Sequence, residues 1–219
     1  MNWQRKQQDK CNLTGGKIHN MKKIHEIKDK ILIKGVLENT EFGTLALCFE
    51  NKPYSLPLNF VEFNNDIYFH GAKKGKKIDY IKENSFASFS AVESISFLPS
   101  YFSTADENAS PATHMYKSVI IDGIIEIVED YDVKSLALSA LMEKYQKEGG
   151  YKPLNDEIYK KIINATGLYK LTPIETSAKF YLGQNFNEKR FQRVCEHLKQ
   201  RGEKEDLATL KILEEFRGS

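Results

Sequence analysis

The sequence predicts a mainly β protein, an antiparallel barrel or a sheet with helices at its edges, and three observations carry that prediction. Short apolar segments follow one another with few helices between them. The regular strand–helix alternation of a doubly wound sheet is missing, as is a GxGxxG fingerprint. The last part of the chain is helical, with apolar positions on one face only, so it must dock on a body or on a second subunit.

Taken in order, Ile24–Glu38 is expected to be a short helix in which Ile27, Ile31 and Lys34 share a face and Gly35 interrupts. Gly43–Phe49 is a strand, Asn51–Pro53 turns the chain, and Tyr54–Phe60 is the next strand. Asn64-Asn65 makes a hairpin turn into Ile67–His70. A helix over Lys76–Glu83 packs Ile78 and Ile81, Asn84-Ser85 ends it, and Phe86–Ala91 alternates as a strand. Residues 94–115 have no sustained period and read as a long loop. Tyr116–Glu129 is a long strand with Gly123 as a candidate bulge. Helices follow over Val133–Lys147 and Asn155–Asn164, then strands over Gly167–Leu171 and Ala178–Leu182. Asn187 is a helix N-cap, with Phe191, Val194, Cys195 and Leu198 on one face. Gly202 breaks that helix, and a last one spans Leu207–Phe216.

Composition narrows the function classes. Of 219 residues, 28% are charged and 41% hydrophobic, the balance of an ordinary soluble globular protein. No apolar run approaches the ~20 residues of a membrane span, and the N-terminus lacks a secretory apolar stretch, so a cytoplasmic protein is expected. Cys11, Cys48 and Cys195 suit neither a metal site nor a disulfide framework, and Cys48 and Cys195 are expected in the core. Residues 1–34 hold nine Lys/Arg against three Asp/Glu, a charge of +6, which leaves 2 − 6 = −4 for the rest. The basic stretch over residues 1–22 is expected to be a disordered, solvated arm rather than a nucleic-acid contact, and Met21 is a possible working start. Domain boundaries are placed at 1–22, 23–184 and 185–219.

The chemistry concentrates in two neighbouring features. Gly71-Ala-Lys-Lys-Gly-Lys-Lys77 opens a helix with glycine-spaced backbone N–H groups, a positive helix end and several ammonium groups, a seat for a phosphate. It is not a Walker loop: three residues separate Gly71 from Gly75, and no Ser or Thr follows Lys76. The strand before it alternates Tyr54, Leu56, Leu58 and Phe60 with Ser55, Pro57 and Asn59, an edge along which a flat ring could lie. Together they indicate a phosphorylated, flat cofactor. His70 stands beside the turn. With His19, His25, His114 and His197 it forms no ligand spacing, so no metal is expected.

Gly43-Thr-Leu-Ala-Leu, Pro53–Phe60, Ile67–Lys77 and Tyr116-Lys-Ser-Val-Ile120, in that order, resemble the pyridoxamine 5′-phosphate oxidase-like FMN-binding split barrels, most closely their nitroimidazole-resistance and flavin-nucleotide-binding branch. The resemblance covers residues 24–183. It implies a six-stranded antiparallel split β-barrel with flanking helices and a C-terminal helical extension, working as a homodimer with FMN at the subunit interface. It also implies roles by position. Ser55, Leu56, Pro57, Leu58 and Asn59 would line the isoalloxazine edge; His70 and Gly71 would sit beside the flavin; Lys76 and Lys77 would grip its phosphate. Tyr116 and Ser118 would close the site from the facing protomer, and His70 is the candidate for contacting substrate. The strand Tyr54-Ser-Leu-Pro-Leu-Asn59 lacks the arginines of enzymes that oxidise pyridoxamine phosphate, which points away from that substrate.

The expected function is therefore that of an FMN-dependent oxidoreductase passing electrons or hydride to a small nitro-aromatic or quinone-like acceptor. The alternatives are a flavin-binding regulator without turnover, and a haem-handling barrel with His70, His114 or His197 as axial ligand. Related barrels also leave F420 open.

Overall fold

The computed structural model describes residues 23–105 and 107–217, so the expected arm of residues 1–22, with Cys11, His19 and Met21, lies outside the described residues. The strands are β1 (Glu26–Ile27), β2 (Phe42–Phe49), β3 (Lys52–Asn59), β4 (Val61–Phe63), β5 (Asp66–Gly71), β6 (Phe86–Leu98), β7 (Thr113–Val128) and β8 (Gly167–Tyr181). The helices are α1 (Lys30–Asn39), α2 (Lys76–Glu83), α3 (Tyr131–Tyr145), α4 (Lys160–Ala165), α5 (Glu188–Arg201) and α6 (Lys204–Arg217).

All strand pairings are antiparallel, in the order β3-β2-β6-β7-β8-β5-β4, with β1 added to β8. Chain geometry rolls this sheet up. β3 and β4 lie at opposite ends of the hydrogen-bonded order, yet only Phe60 separates Asn59 from Val61. Consecutive Cα atoms are about 3.8 Å apart, so the two ends of the sheet must meet at that residue. The result is a barrel that is closed in space and open by hydrogen bonds. The sheet has eight strands rather than the expected six: six are long, while β1 and β4 are short additions of two and three residues.

The seam at Phe60 is held by side chains from α3. Backbone polar groups at such a corner have no ladder partner and must be satisfied some other way. The Tyr145 hydroxyl accepts from Phe60 N (3.0 Å) and donates to the Glu41 carbonyl (2.6 Å). The Lys144 ammonium donates to the carbonyls of Leu37, Thr40 and Phe60 at 2.9, 2.8 and 3.0 Å, and so also caps the C-terminal end of α1. Burial pulls the Lys144 pKa down to about 8. Three carbonyls nevertheless engage all three ammonium hydrogens, so the corner is built for the charged form.

The hairpins follow from local chemistry. Glu50-Asn51 and Asn64-Asn65 carry positive φ at both central positions, the conformation of tight hairpin turns, which asparagine tolerates better than most residues. The core fills the barrel with Leu45, Phe60, Ile67, Phe69, Phe89, Val119, Ile121 and Leu171. A second cluster, including Val61, Tyr68, Val128, Ala137, Leu141 and Leu168, seats α3 on the outer face. The terminal helices dock on this same chain, placing Val194, Cys195, Leu198, Leu210 and Leu213 in the main core. Asn187 caps α5 through Arg190 N, and Gly202 ends it in the left-handed conformation.

Four local expectations change. The first helix begins only at Lys30, because Asp29 caps it through Ile31 N and Leu32 N and Glu26–Ile27 pair with β8. Ile31 is 81% exposed, and the buried face is Val36–Leu37. The strands expected over 167–171 and 178–182 are one strand, β8. The long loop shrinks to residues 99–112, since β6 runs to Leu98 and β7 starts at Thr113. Cys48 is exposed on β2, unlike buried Cys195.

Candidate functional site

The turn between β5 and α2 has the backbone its sequence implies. Gly75, at the N-cap of α2, sits at φ 112° and ψ 176°, a region essentially restricted to glycine. It offers no side chain to cap the helix, so the first turn lacks the usual internal acceptor. His70 and Gly71 pair with Leu168 and Gly167 at the start of β8, which fixes where the turn departs from the sheet.

Two lysines of the turn are positioned by aromatic rings rather than by acids. The Lys77 ammonium lies 4.4 Å from the Tyr169 ring centroid and 5.4 Å from that of Phe69. It has no hydrogen bond or ion pair among the described residues, and burial lowers its pKa. A Cβ on Gly71 would stand 2.7 Å from Lys77 Nζ, so the missing side chain of Gly71 is what gives that ammonium its place. Lys76 reaches the other way, 4.4 Å over the ring of Tyr54 on β3 and 5.4 Å from that of Tyr80. This contact joins the turn to the start of the β3 edge. Lys73 alone is neutralised, by Glu129 at 3.6 Å, and Glu129 also pairs with buried Lys134.

A half-buried ammonium without a counter-charge is costly unless something else fills that role. The combination of Lys76, Lys77, an uncapped helix start and two close glycines is the donor set of a phosphate or carboxylate seat. His70 lies beside it with one side open to solvent; partial desolvation of its ring first, then the Lys77 charge, lowers its pKa. An anion placed here would relieve both groups.

β3 is the edge strand of the hydrogen-bonded order, paired only with β2. Leu56 and Leu58 pack on the core while Ser55 and Pro57 are exposed. Asn59 is already engaged at the seam, where its amide donates to the Glu41 carbonyl at 3.0 Å. The structure therefore brings together Tyr54, His70, Gly71, Lys76 and Lys77, while Ser55 follows Tyr54 on the exposed face of β3.

It does not bring Tyr116 and Ser118 to them within one chain. These pair with Tyr181 and Lys179 near the end of β8, whereas Gly71 pairs with Gly167 at its beginning. The intervening strand has a contour on the order of 40 Å. Ser118 instead lies on the outer face of β6–β7 with exposed Val92 and Ile120. Tyr169, Gly167, Tyr80 and Glu129 were not singled out in the sequence. The one available signal for the first two was a glycine two residues before a tyrosine at the start of a predicted strand. Among the described residues no group of three or more His, Cys, Asp or Glu could hold a metal ion, and no helix is long and apolar enough to cross a membrane.

Solved structures share this fold. A flavocytochrome from Azotobacter vinelandii superposes with a TM-score of 0.60 at 17% identity, covering 81% of this chain and 80% of that chain. A protein provisionally assigned to 5-nitroimidazole antibiotic resistance in Bacteroides thetaiotaomicron gives 0.58 at 20% identity, covering 70% and 85%. A FAD and heme binding protein from Mycobacterium smegmatis gives 0.58 at 17%, covering 71% and 73%. Identities this low speak for the fold alone. A comparison with curated proteins finds no match. The pyridoxamine 5′-phosphate oxidase family model matches residues 33–180, from within α1 to the penultimate residue of β8 and so strands β2 to β8, and the chain belongs to that family.

Proposed function

We propose that this protein is an FMN-binding flavoprotein whose reduced flavin passes electrons or hydride to a small nitro-aromatic or quinone-like acceptor. The observation that carries the reading is the uncompensated Lys77 ammonium, set between Gly71 and Tyr169 at the start of an uncapped helix. Residues fit the group: Lys76 and Lys77 would hold the phosphate, and the free edge of β3 from Ser55 to Asn59 would take the polar rim of the ring. The flavin supplies the redox chemistry when bound. The chain's part is to bind and orient it, with His70 presenting a neutral imidazole beside the seat where an acceptor could be contacted.

The site is completed by a second copy in this reading. Tyr116 and Ser118 cannot reach the turn of their own chain, but they share an outer face with Val92, Ile120 and Phe42, which are 54%, 43% and 58% exposed. In the strand register Phe42, Val92 and Ser118 stand close together across β2, β6 and β7. Burying that face against a partner would remove apolar surface from water and carry Tyr116 and Ser118 to the partner's flavin.

The test is the absorbance spectrum of the purified protein, mass analysis of whatever heat releases, and titration with FMN. Wild-type protein should be yellow or become so on adding FMN, and Lys76→Ala with Lys77→Ala should fold but stay colourless. A colourless wild type indifferent to micromolar FMN, or a double variant that retains full colour, overturns the reading. His70→Ala should retain FMN and lose acceptor turnover.

A further inference from the structure

We propose, resting on the flavin reading above, that Tyr169 is a positioning residue for the phosphate end of the cofactor, its hydroxyl holding the 71–77 turn open and its ring presenting Lys77. Tyr169 lies in β8, far from the turn in sequence, and is 1% exposed. Its hydroxyl donates to the Ala72 carbonyl at 2.5 Å, so the chain's own side chain pins the turn at its second residue. The ring stacks on Phe69 at 5.3 Å and places the Lys77 ammonium 4.4 Å above its own centroid. One side chain thus sets both the backbone and the charge of the seat.

Gly167 makes this arrangement possible. A Cβ there would come within 2.7 Å of the Tyr169 hydroxyl and 2.8 Å of the Gly71 carbonyl, so only glycine lets the phenol pass beneath the turn at this register. The second tether, Lys73 to Glu129 at 3.6 Å with Glu129 largely in water and Lys73 partly so, is of the kind that contributes little. The buried hydroxyl is the stronger restraint, because a desolvated hydrogen bond is costly to leave unmade. Holding the turn ready avoids an ordering cost when the phosphate arrives, and that saving appears directly as affinity.

The test compares FMN with riboflavin, which carries the same ring without the phosphate. Tyr169→Phe retains the ring under Lys77 and removes only the hydroxyl. It should weaken FMN binding about five- to tenfold, the size of one net hydrogen bond, leave riboflavin binding within twofold, and shift the phosphorus resonance of bound FMN. Parallel loss of both flavins would mean that Tyr169 supports the barrel rather than the turn, and unchanged FMN affinity would mean that the hydroxyl positions nothing; either overturns the assignment. In the wild type, inorganic phosphate should compete with FMN and not with riboflavin. Phosphate that displaces neither leaves no anion seat for Tyr169 to position and overturns the assignment without any variant. A wild type that binds neither flavin sinks the flavin reading itself, a result distinct from all of these.

Discussion

Replacing Lys77 with methionine separates binding from stability, because the structure predicts opposite signs for the two. The ammonium has two ring contacts and no acid, and burial lowers its pKa. Below that lowered value the native state carries a charge it holds poorly, while the unfolded chain keeps the proton comfortably up to near the ordinary lysine value. The unfolded state therefore binds more protons between the folded and unfolded pKa values, and wild-type stability should rise with pH through that interval. Methionine fills much the same volume without charge, so Lys77→Met should unfold no more easily than wild type at pH 7 and should lose the alkaline rise. Flavin binding should move the other way. A hydrogen bond to a charged group contributes about 1.5–3 kcal/mol, so FMN affinity should fall roughly 10- to 150-fold, with riboflavin little affected. Chemical denaturation at pH 7 and pH 10 gives the stability, and flavin fluorescence titration gives the affinity. Stability and affinity falling together, or affinity unchanged, would refute the reasoning that this lysine is kept for a ligand.

Three further outcomes follow from the same geometry. His70 is neutral in the folded state to a lower pH than in the unfolded chain, so stability should fall as pH drops below 6.5 towards the folded value, and His70→Asn should flatten that slope in thermal melts; FMN, by countering Lys77, should raise the His70 pKa in an NMR titration. Val92→Asp with Ile120→Asp should convert a dimer to monomers in size-exclusion chromatography and release the flavin, and a monomer that retains FMN would refute the interface. Lys144→Met removes the ammonium that donates to the Leu37, Thr40 and Phe60 carbonyls, of which Phe60's retains the Tyr145 hydroxyl at 3.0 Å, and should cost about 2 kcal/mol in urea unfolding, less than the sum of three lost bonds because the burial cost of the charge is also removed.

Where short-range chemistry decides the backbone, the sequence is legible. Gly75 and Asn84 mark the two ends of α2 and Ile78 and Ile81 its buried face, Asn64-Asn65 marks a hairpin, and Asn187 with Gly202 brackets α5. Where a distant partner decides it, local pattern misleads. Ile24, Ile27 and Ile31 have helical spacing, but Ile27 is claimed by β8 and Asp29 restarts the chain as a helix. Pro173 looks like a strand breaker between two segments. It survives inside β8 because it faces Gly123, where the register shifts and a Cβ would meet the Thr172 carbonyl at 2.2 Å; a proline costs little at an irregularity that has already given up a ladder bond.

The same division runs through the site. The lysines of the turn and the alternation of β3 are written in adjacent residues, so charge spacing and strand period suffice to find them. What makes them a seat comes from strands that pairing alone brings near. Gly167 aligns with Gly71 and, two residues on, Tyr169 aligns with Phe69, so a single register sets both the hydroxyl under Ala72 and the ring under Lys77. A one-residue slip of β8 would turn Tyr169 to the other face of the sheet, leaving Lys77 without its ring and the turn without its hydroxyl. The anion seat thus depends on a pairing formed between residues nearly a hundred positions apart, and no window of local sequence contains it. In the proposed dimer the remaining half is more distant still: Tyr116 and Ser118 would join the site only once the apolar row of Phe42, Val92 and Ile120 is covered, so their role would be specified by the surface around them rather than by any motif of their own.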